Sequence, residues 1–523
     1  MASELEKVVE FKVQRFDPEG NKRYMSTYQV PVHRGMTILD ALNYIKDNLD
    51  ATLTFRHSCR MGQCGSCGVK VDGKPRLACY TQVLDLGADS LLLEPLSNLP
   101  VIKDLIVDIQ PFFDTFKRVD LSLIKKDEEE REKTHEFIQS PAELKKYWDL
   151  TLCTKCAICY SSCPAALDGR FLGPSTLATN YRFIADSRDE GLERRLEAIS
   201  DNVWLCTSCH SCTLNCPKDV DGSASVVEER SLMVETSGLI PKNVQEVLTS
   251  AAKYHNPMRM LASKRTEWAK DLEIRELPAI GKADILYFPC CSAAFDLRNQ
   301  EIAKSMAAIF KVIGADFAIL GNDEWCCGDH LLRLGEKGLF EMLAEHNVAM
   351  FKKFAINKIV TLSPHCFHTF THDRPYTDTE LNVQHYTQWI AEALKQGKIK
   401  LSKAIKKRVA YHDPCFLGKR NEIYDAPRQI LESIAGLEFV EMNRTKENSF
   451  CCGGGAGRIW TEDSTPEGRP CVARAQEALD LKVEVIATAC PFCLTALEDA
   501  VKVLDAEGKI VVRDIAELVK QAL

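Results

Sequence analysis

The spacing of the cysteines constrains this chain more than any other feature. Cys59, Cys64 and Cys67 are followed at a distance by Cys79. Cys153, Cys156, Cys159 and Cys163 form a C-x2-C-x2-C-x3-C-P run, and Cys206, Cys209, Cys212 and Cys216 form a second. Two later modules centre on Cys326-Cys327-Gly328 and Cys451-Cys452-Gly453. Nearly all of the 23 cysteines fall inside these patterns. Disulfides account poorly for them, because disulfide-dense proteins are short and exported. This chain has 523 residues. Its first residues, Met1 to Lys12, lack the apolar core of an export signal. Ligation of a soft metal by thiolate is the better account.

Each pattern carries its own chemistry. C-x4-C-x2-C with a distant fourth cysteine is the spacing of a plant-type [2Fe–2S] site, so Cys59, Cys64, Cys67 and Cys79 are expected to hold one such cluster. Gly62, Gly65 and Gly68 let that loop wrap closely and point backbone N–H groups at sulfur. Zinc suits so compressed a loop poorly. In tandem C-x2-C-x2-C-x3-C-P runs the fourth cysteine serves the other cluster. Cys153, Cys156, Cys159 and Cys216 are therefore expected to hold one [4Fe–4S], and Cys206, Cys209, Cys212 and Cys163 a second.

The last half of the chain repeats itself. Ile285–Phe288 leads to Cys290-Cys291, as Val409–His412 leads to Cys415. Ile359–Leu362 runs into Ser363-Pro364-His365-Cys366, as Val485–Thr488 runs into Cys490-Pro491-Phe492-Cys493. Cys291 precedes Cys326 by 35 positions and Cys415 precedes Cys451 by 36. The second copy offers Cys415, Cys451, Cys452, Cys490 and Cys493, more thiols than a cubane needs. A non-cubane [4Fe–4S] cluster with a bridging thiolate is the expectation, and these five are the candidate catalytic residues. Gly453, Gly454, Gly455 and Gly457 allow close backbone approach; a dinucleotide loop is discounted because no strand leads into them. The first copy has Cys291, Cys326, Cys327 and Cys366, with Ser363 in the fifth place and Cys290 as an extra thiol that could substitute. An altered cluster or zinc is open there. His365, His368 and His412 are read as packing or hydrogen-bonding residues and Cys471 as a structural thiol.

The expected architecture is multidomain, α+β and α/β. Residues 1–110 read as a β-grasp [2Fe–2S] ferredoxin domain. Val9, Phe11, Val13 and then Tyr28, Val30, Val32 alternate with period two across an Asp17–Asn21 turn. Thr37 caps a helix with Ile38, Leu42, Ile45 and Leu49 on one face, and Val69–Gly73 enters a hairpin. Residues 111–278 read as a helical domain for the two [4Fe–4S] clusters, with a solvated charged stretch at 121–135. Residues 279–400 and 401–523 read as two tandem α/β modules, the first degenerate. The basic run from Lys395 to Arg408 is read as a solvated face. A net charge of −8 argues against a nucleic-acid partner. No apolar run reaches the ~18 residues a membrane span requires.

Residues 1–235 resemble the iron–sulfur subunit of succinate dehydrogenases and fumarate reductases. The match rests on Phe55–Cys67, Leu77-Ala78-Cys79 and Leu99–Leu105. Residues 283–523 look like the CCG-domain subunits of heterodisulfide reductases, on His412–Gly418 and Ala489–Cys493. The fusion in this order is similar to the iron–sulfur subunits of thiol:fumarate reductases. The resemblance implies an electron-transfer role next to an FAD-containing flavoprotein that carries the fumarate/succinate site. Electrons would pass between that flavin and a thiol/disulfide site at the C-terminal CCG cluster, for thiols of the coenzyme M and coenzyme B type. The alternative is that the CCG half docks on the membrane and exchanges electrons with a (mena)quinone. Quinone-linked relatives have a non-cysteine where Cys209 stands, which gives a [3Fe–4S] cluster. They also carry a tryptophan after the first C-P pair and a histidine after the first cysteine of the second run. This chain has Ala165–Asp168 and Thr207 there, so the usual quinone pocket is not expected. A metal-binding scaffold with zinc at the CCG sites is a third reading. The expected location is the cytoplasm or the inner face of the membrane.

Overall fold

A computed structural model describes residues 7–127, 136–461, 465 and 468–523. Most of the charged run read as a solvated stretch, residues 128–135, lies outside the described residues. The chain divides into two compact units, residues 1–203 with 210–229 and residues 204–209 with 230–523.

In the N-terminal unit, β1 (Lys7–Asp17) pairs antiparallel with β2 (Lys22–Val32). Their period-two residues Val9, Phe11, Val13, Val30 and Val32 are wholly buried, as a sheet with one covered face requires. The helix α1 (Ile38–Asn48) begins at a capping box: Asp40 N–H donates to Thr37 Oγ1 and Thr37 N–H donates to Asp40 Oδ2. Its buried face is Ile38, Leu39, Ala41, Leu42 and Ile45. Leu49, expected on that face, is 48% exposed because the helix ends at Asn48 and the chain turns away at the C-cap. Between β3 (Gly68–Val71) and β4 (Lys74–Leu77), Asp72 and Gly73 both take positive φ, the two-residue turn that suits sheet twist. With β5 (Ser90–Glu94) these strands form a mixed sheet in the order β2-β1-β5-β3-β4. A small ribbon, β6 (Val101–Lys103) and β7 (Ile106–Val107), follows. Asp104, between its strands, accepts from buried Arg15 Nε at 2.9 Å and from Thr54 N at 2.9 Å. That ion pair ties the sheet to the stretch leading into Cys59. From residue 140 the unit is built of helices, mostly short, around the first cysteine run.

The C-terminal unit carries two four-stranded parallel sheets. In the first, β8 (Ile285–Phe288), β9 (Phe317–Ala318), β10 (Lys358–Thr361) and β11 (Asn382–His385) lie in the order β11-β10-β8-β9. In the second, β12 (Arg408–Tyr411), β13 (Glu438–Val440), β14 (Val485–Thr488) and β15 (Val511–Asp514) lie in the order β13-β12-β14-β15. In both, the first and third strands are neighbours at the centre of the sheet, so the sequence repeat is carried into the architecture. Ligands of open parallel sheets bind at the carboxyl ends of such a central pair. Those ends deliver Cys290-Cys291 and Ser363–Cys366 in one module, and His412–Cys415 and Cys490–Cys493 in the other. The modules are joined by Arg298, paired with Glu498 and Glu517, and by Tyr386 Oη, which donates to Asp514.

Candidate functional site

The first thiol group lies in the loop before β3. Cys59 Sγ accepts from the backbone N–H of Met61, Gln63 and Cys64 at 3.5, 3.3 and 3.3 Å. These donors pull its thiol down to about 6. Gly62 N–H donates to Cys79 Sγ at 3.3 Å, and Cys79 N–H donates to Cys67 Sγ at 3.5 Å. Burial pushes Cys67 up to about 12. Gly65, at φ 74°, faces the next group directly: a Cβ there would sit 2.7 Å from Cys156 Cα. The Cys59–Cys67 loop and the first C-x2-C-x2-C run are thus in backbone contact.

Cys153, Cys156, Cys159 and Cys216 line one cavity, together with Cys212, Pro174 and Val220. The first four of these are the set expected to share a cluster. Burial pushes Cys153, Cys156 and Cys159 upward, so thiolates there call for a compensating cation. The turns of both runs are alike. Lys155 and Ala157 have φ 54° and 63°, and their counterparts Ser208 and His210 have φ 49° and 67°.

Cys206 and Cys209 belong to the C-terminal unit and are held there by its own side chains. Arg230 donates to Cys206 O at 2.8 Å, and Arg420 donates twice to Ser208 O, at 3.1 and 2.9 Å. Cys209 shares a buried cluster with Cys415, Phe416 and Cys451. The Cys451 thiol contacts those of Cys209, Cys415 and Cys452, and stands 3.6 Å from Thr207 Oγ1. Cys452 in turn contacts Cys493, and Cys493 contacts Cys490. The five thiols of the second module, each at most 6% exposed, therefore form one continuous group that begins against Cys209.

Two histidines border this group. Arg474 Nε donates to His412 Nδ1 at 3.1 Å, which leaves the His412 proton on Nε2. His412, Cys452 and Cys493 offer ligand atoms within 4.8 Å of one another. His365, from the first module, pairs through Nδ1 with Asp329 Oδ2 at 2.7 Å and contacts Cys490. Burial disfavours its charge, but Asp329 outweighs burial and holds the imidazole up to about 10. Burial likewise opposes a Cys490 thiolate, and the Cys493 and His365 contacts bring it down to about 6. His368 meets Asn421 at 3.5 Å and Cys471 is buried.

In the first module the thiols of Cys291, Cys326, Cys327 and Cys366 are likewise contiguous. Cys290 joins them against Cys366. Arg265 Nη2 donates to Cys291 Sγ at 3.3 Å. Gly328 N–H and Gly453 N–H donate to Cys326 and Cys451 Sγ at 3.5 and 3.3 Å, with φ 89° and 86°. The two triplets are thus built alike. Thr207, Arg265, Asp329 and Arg474 join the site without a role expected from the sequence. Asp329 adjoins Gly328, but nothing local ties the two arginines to the site: Arg265 reaches Cys291, and Arg474, though it pairs with Glu477 three residues on, reaches His412 62 positions away.

Family models agree with this layout. A 2Fe-2S iron-sulfur cluster binding domain matches residues 10–114, a 4Fe-4S dicluster domain matches 149–220, and a cysteine-rich domain matches 285–371 and 409–498. The chain is an iron–sulfur electron-transfer protein of the oxidoreductase class. An uncharacterized iron–sulfur protein of Methanocaldococcus jannaschii is 32% identical over 509 residues, covering 96% of each chain. The chain belongs to that family, in which iron–sulfur domains of the ferredoxin and CCG kinds are fused. A subunit of the CoM/CoB fumarate reductase of Methanothermobacter marburgensis is 29% identical over 98% of this chain and 99% of its own. The EtfAB:quinone oxidoreductase of Syntrophomonas wolfei is 31% identical over 72% of this chain, which spans 58% of that protein. A hypothetical protein from Helicobacter pylori shares the fold at TM-score 0.64 and 13% identity, over 100% of this chain and 95% of that one. No helix among the described residues is long and apolar enough to cross a membrane.

Proposed function

We propose that this chain is the iron–sulfur subunit of a fumarate reductase/succinate dehydrogenase-type complex. It passes electrons between a flavoprotein partner and a thiol/disulfide site at the second CCG module, in the cytoplasm or at the inner face of the membrane. The observation that carries this reading is the buried contact of Cys451 with Cys209. It sets the first half of the second ferredoxin-type run against the CCG thiols.

The proposal assigns a β-grasp ferredoxin domain to residues 1–110, a two-cluster helical domain to 111–278 and CCG modules to 279–400 and 401–523. One [2Fe–2S] belongs with Cys59, Cys64, Cys67 and Cys79, and two [4Fe–4S] clusters belong with the two C-x2-C-x2-C-x3-C runs. A non-cubane cluster belongs with Cys415, Cys451, Cys452, Cys490 and Cys493. Five converging buried thiols suit such a group, since their negative charge requires a cation in so apolar a setting. When bound, these clusters supply one-electron transfer. The residues around them do the positioning. Backbone N–H groups of Met61, Gln63, Cys64 and Gly453 steady sulfur charge, and Arg474 fixes the His412 tautomer beside Cys452 and Cys493. Asp329 fixes His365 beside Cys490.

The test is fumarate reduction by the anaerobically purified complex, driven by a coenzyme M and coenzyme B thiol pair or by a reduced menaquinone analogue. Turnover with thiols supports the proposal. Turnover with the quinol alone makes the CCG half a quinone-side outlet and overturns it. Cys451→Ser or Cys452→Ser is expected to abolish thiol-linked turnover and to leave fumarate reduction by an artificial dye intact.

A further inference from the structure

We propose that the first CCG module holds a second five-thiolate iron–sulfur centre, in which Cys290 supplies the sulfur that Ser363 lacks. The inference rests on the reading of the second module as a cluster site and extends it to the copy that the sequence marks as degenerate.

The repeat aligns Ser363 with Cys490. Each stands at the N-cap of the helix that follows the third strand of its sheet, Pro364–His372 or Pro491–Val503. Ser363 Oγ is engaged as a cap, accepting from His365 N–H at 3.3 Å. Cys490 makes no side-chain cap bond, and its sulfur meets Cys493. The substitution thus turns a thiol position into a helix cap and leaves the first module one sulfur short.

Cys290 makes good the deficit from the other strand. Its thiol contacts Cys366, Cys366 contacts Cys327, Cys327 contacts Cys326, and Cys326 contacts Cys291. All five residues are at most 6% exposed. The second module has Pro414 at the place of Cys290. Cys290 takes φ 70°, a left-handed conformation that favours glycine. A cysteine held there by its surroundings points to a use for its sulfur.

The number of donors selects the metal. Structural zinc is tetrahedral and takes four ligands, whereas five contiguous thiols, two of them adjacent in the chain, reproduce the donor set of the second module. The Arg265 guanidinium lies 3.3 Å from Cys291 Sγ and is itself 3% exposed. Its Nη1 also pairs with buried Glu324 at 2.6 Å, which holds the guanidinium so that Nη2 gives a charge-assisted hydrogen bond to that sulfur.

The experiment compares iron, sulfide and zinc per chain, with Mössbauer spectra of 57Fe-labelled protein, for the wild type, Cys290→Gly and Cys290→Gly/Ser363→Cys. Glycine suits φ 70°, so Cys290→Gly removes the sulfur without straining the backbone. The expected result is that Cys290→Gly loses one cluster's iron and one Mössbauer component while the other components persist, and that adding Ser363→Cys restores both. Iron unchanged in Cys290→Gly overturns the role of Cys290. Zinc bound to the wild type in place of that iron overturns the cluster. This assay reads metal alone, so absence of thiol-linked turnover in a wild type that carries every iron–sulfur component would instead count against the proposed function and leave the assignment of Cys290 standing.

Discussion

The sulfur of Cys451 meets that of Cys209, and the hydroxyl of Thr207 stands 3.6 Å from the same Cys451 sulfur. The C-x2-C step of the second ferredoxin run is therefore built into the CCG unit. Its backbone carbonyls are gripped by Arg230 and Arg420, so the spacing between Cys209 and Cys451 is set by packing within one unit.

Thr207→Val keeps the shape of that contact and removes its hydroxyl. Thr207 Oγ1 accepts from the protonated Cys451 thiol; toward a thiolate the same hydroxyl can only donate, and hydrogen bonds to the sulfurs are one of the levers on cluster potential. One such bond is worth about 1 kcal/mol net, which a one-electron couple reads as about 40 mV. The expected outcome is a fall of that order in the potential of the second-module centre, with the [2Fe–2S] potential unchanged. An EPR-monitored redox titration checks it; a shift of both centres would mean a general structural change.

Gly65→Ala tests the contact at the other end of the path. The added Cβ would fall 2.7 Å from the Cα and Cβ of Cys156, and φ 74° is unfavourable for alanine by about 1–2 kcal/mol. Backbone faces backbone here, so no side chain can swing aside. Slower reoxidation of the [2Fe–2S] through the next cluster is expected, along with a lower melting temperature. Stopped-flow visible absorbance measures the first effect and thermal unfolding the second. An unchanged transfer rate would show that this contact is not on the path.

Local features are legible in the sequence because local chemistry encodes them. Thr37 and Asp40 stand at capping-box spacing, Asp72-Gly73 is a turn pair, and the matched spacings of the two CCG copies become two parallel sheets with the same central strand pair. Leu49 departs from its expected place because periodicity does not say where a helix stops. The contact of Cys209 with Cys451 is not legible: cysteine spacing fixes the form of each run but not which run faces which. Arg265 and Arg474 stay hidden for the same reason, since the groups that place them at the site, Cys291 and His412, lie far from them along the chain.

Asp104→Ala should weaken the [2Fe–2S] domain from a distance. Asp104 is 2% exposed and holds Arg15 Nε, Phe16 N and Thr54 N. Removing one member of a buried ion pair costs about 3–5 kcal/mol. The release of Thr54 also loosens the approach to Cys59. On heating, the [2Fe–2S] EPR signal is expected to vanish at a lower temperature than in the wild type, while the [4Fe–4S] signals keep their order of loss. Simultaneous loss of every signal would show that the domain has no separate stability.

Asp329→Asn addresses the bridge between the two CCG modules. His365 is supplied by the first and touches Cys490 of the second, and its charge depends on Asp329 at 2.7 Å. Asparagine keeps the size of the side chain and removes the anion, so the buried imidazole reverts toward its neutral form. A hydrogen bond from a charged donor is worth about 1.5–3 kcal/mol, equivalent to about 65–130 mV for one electron. Positive charge beside a cluster favours its reduced state, so the second-module potential is expected to fall by up to that amount. The centres proposed at the ferredoxin-type cysteine runs should not move. The same titration with His365→Gln distinguishes the causes: an equal fall in both variants assigns the effect to the imidazolium, and a fall in Asp329→Asn alone assigns it to displaced packing around Arg333, which also pairs with Asp329.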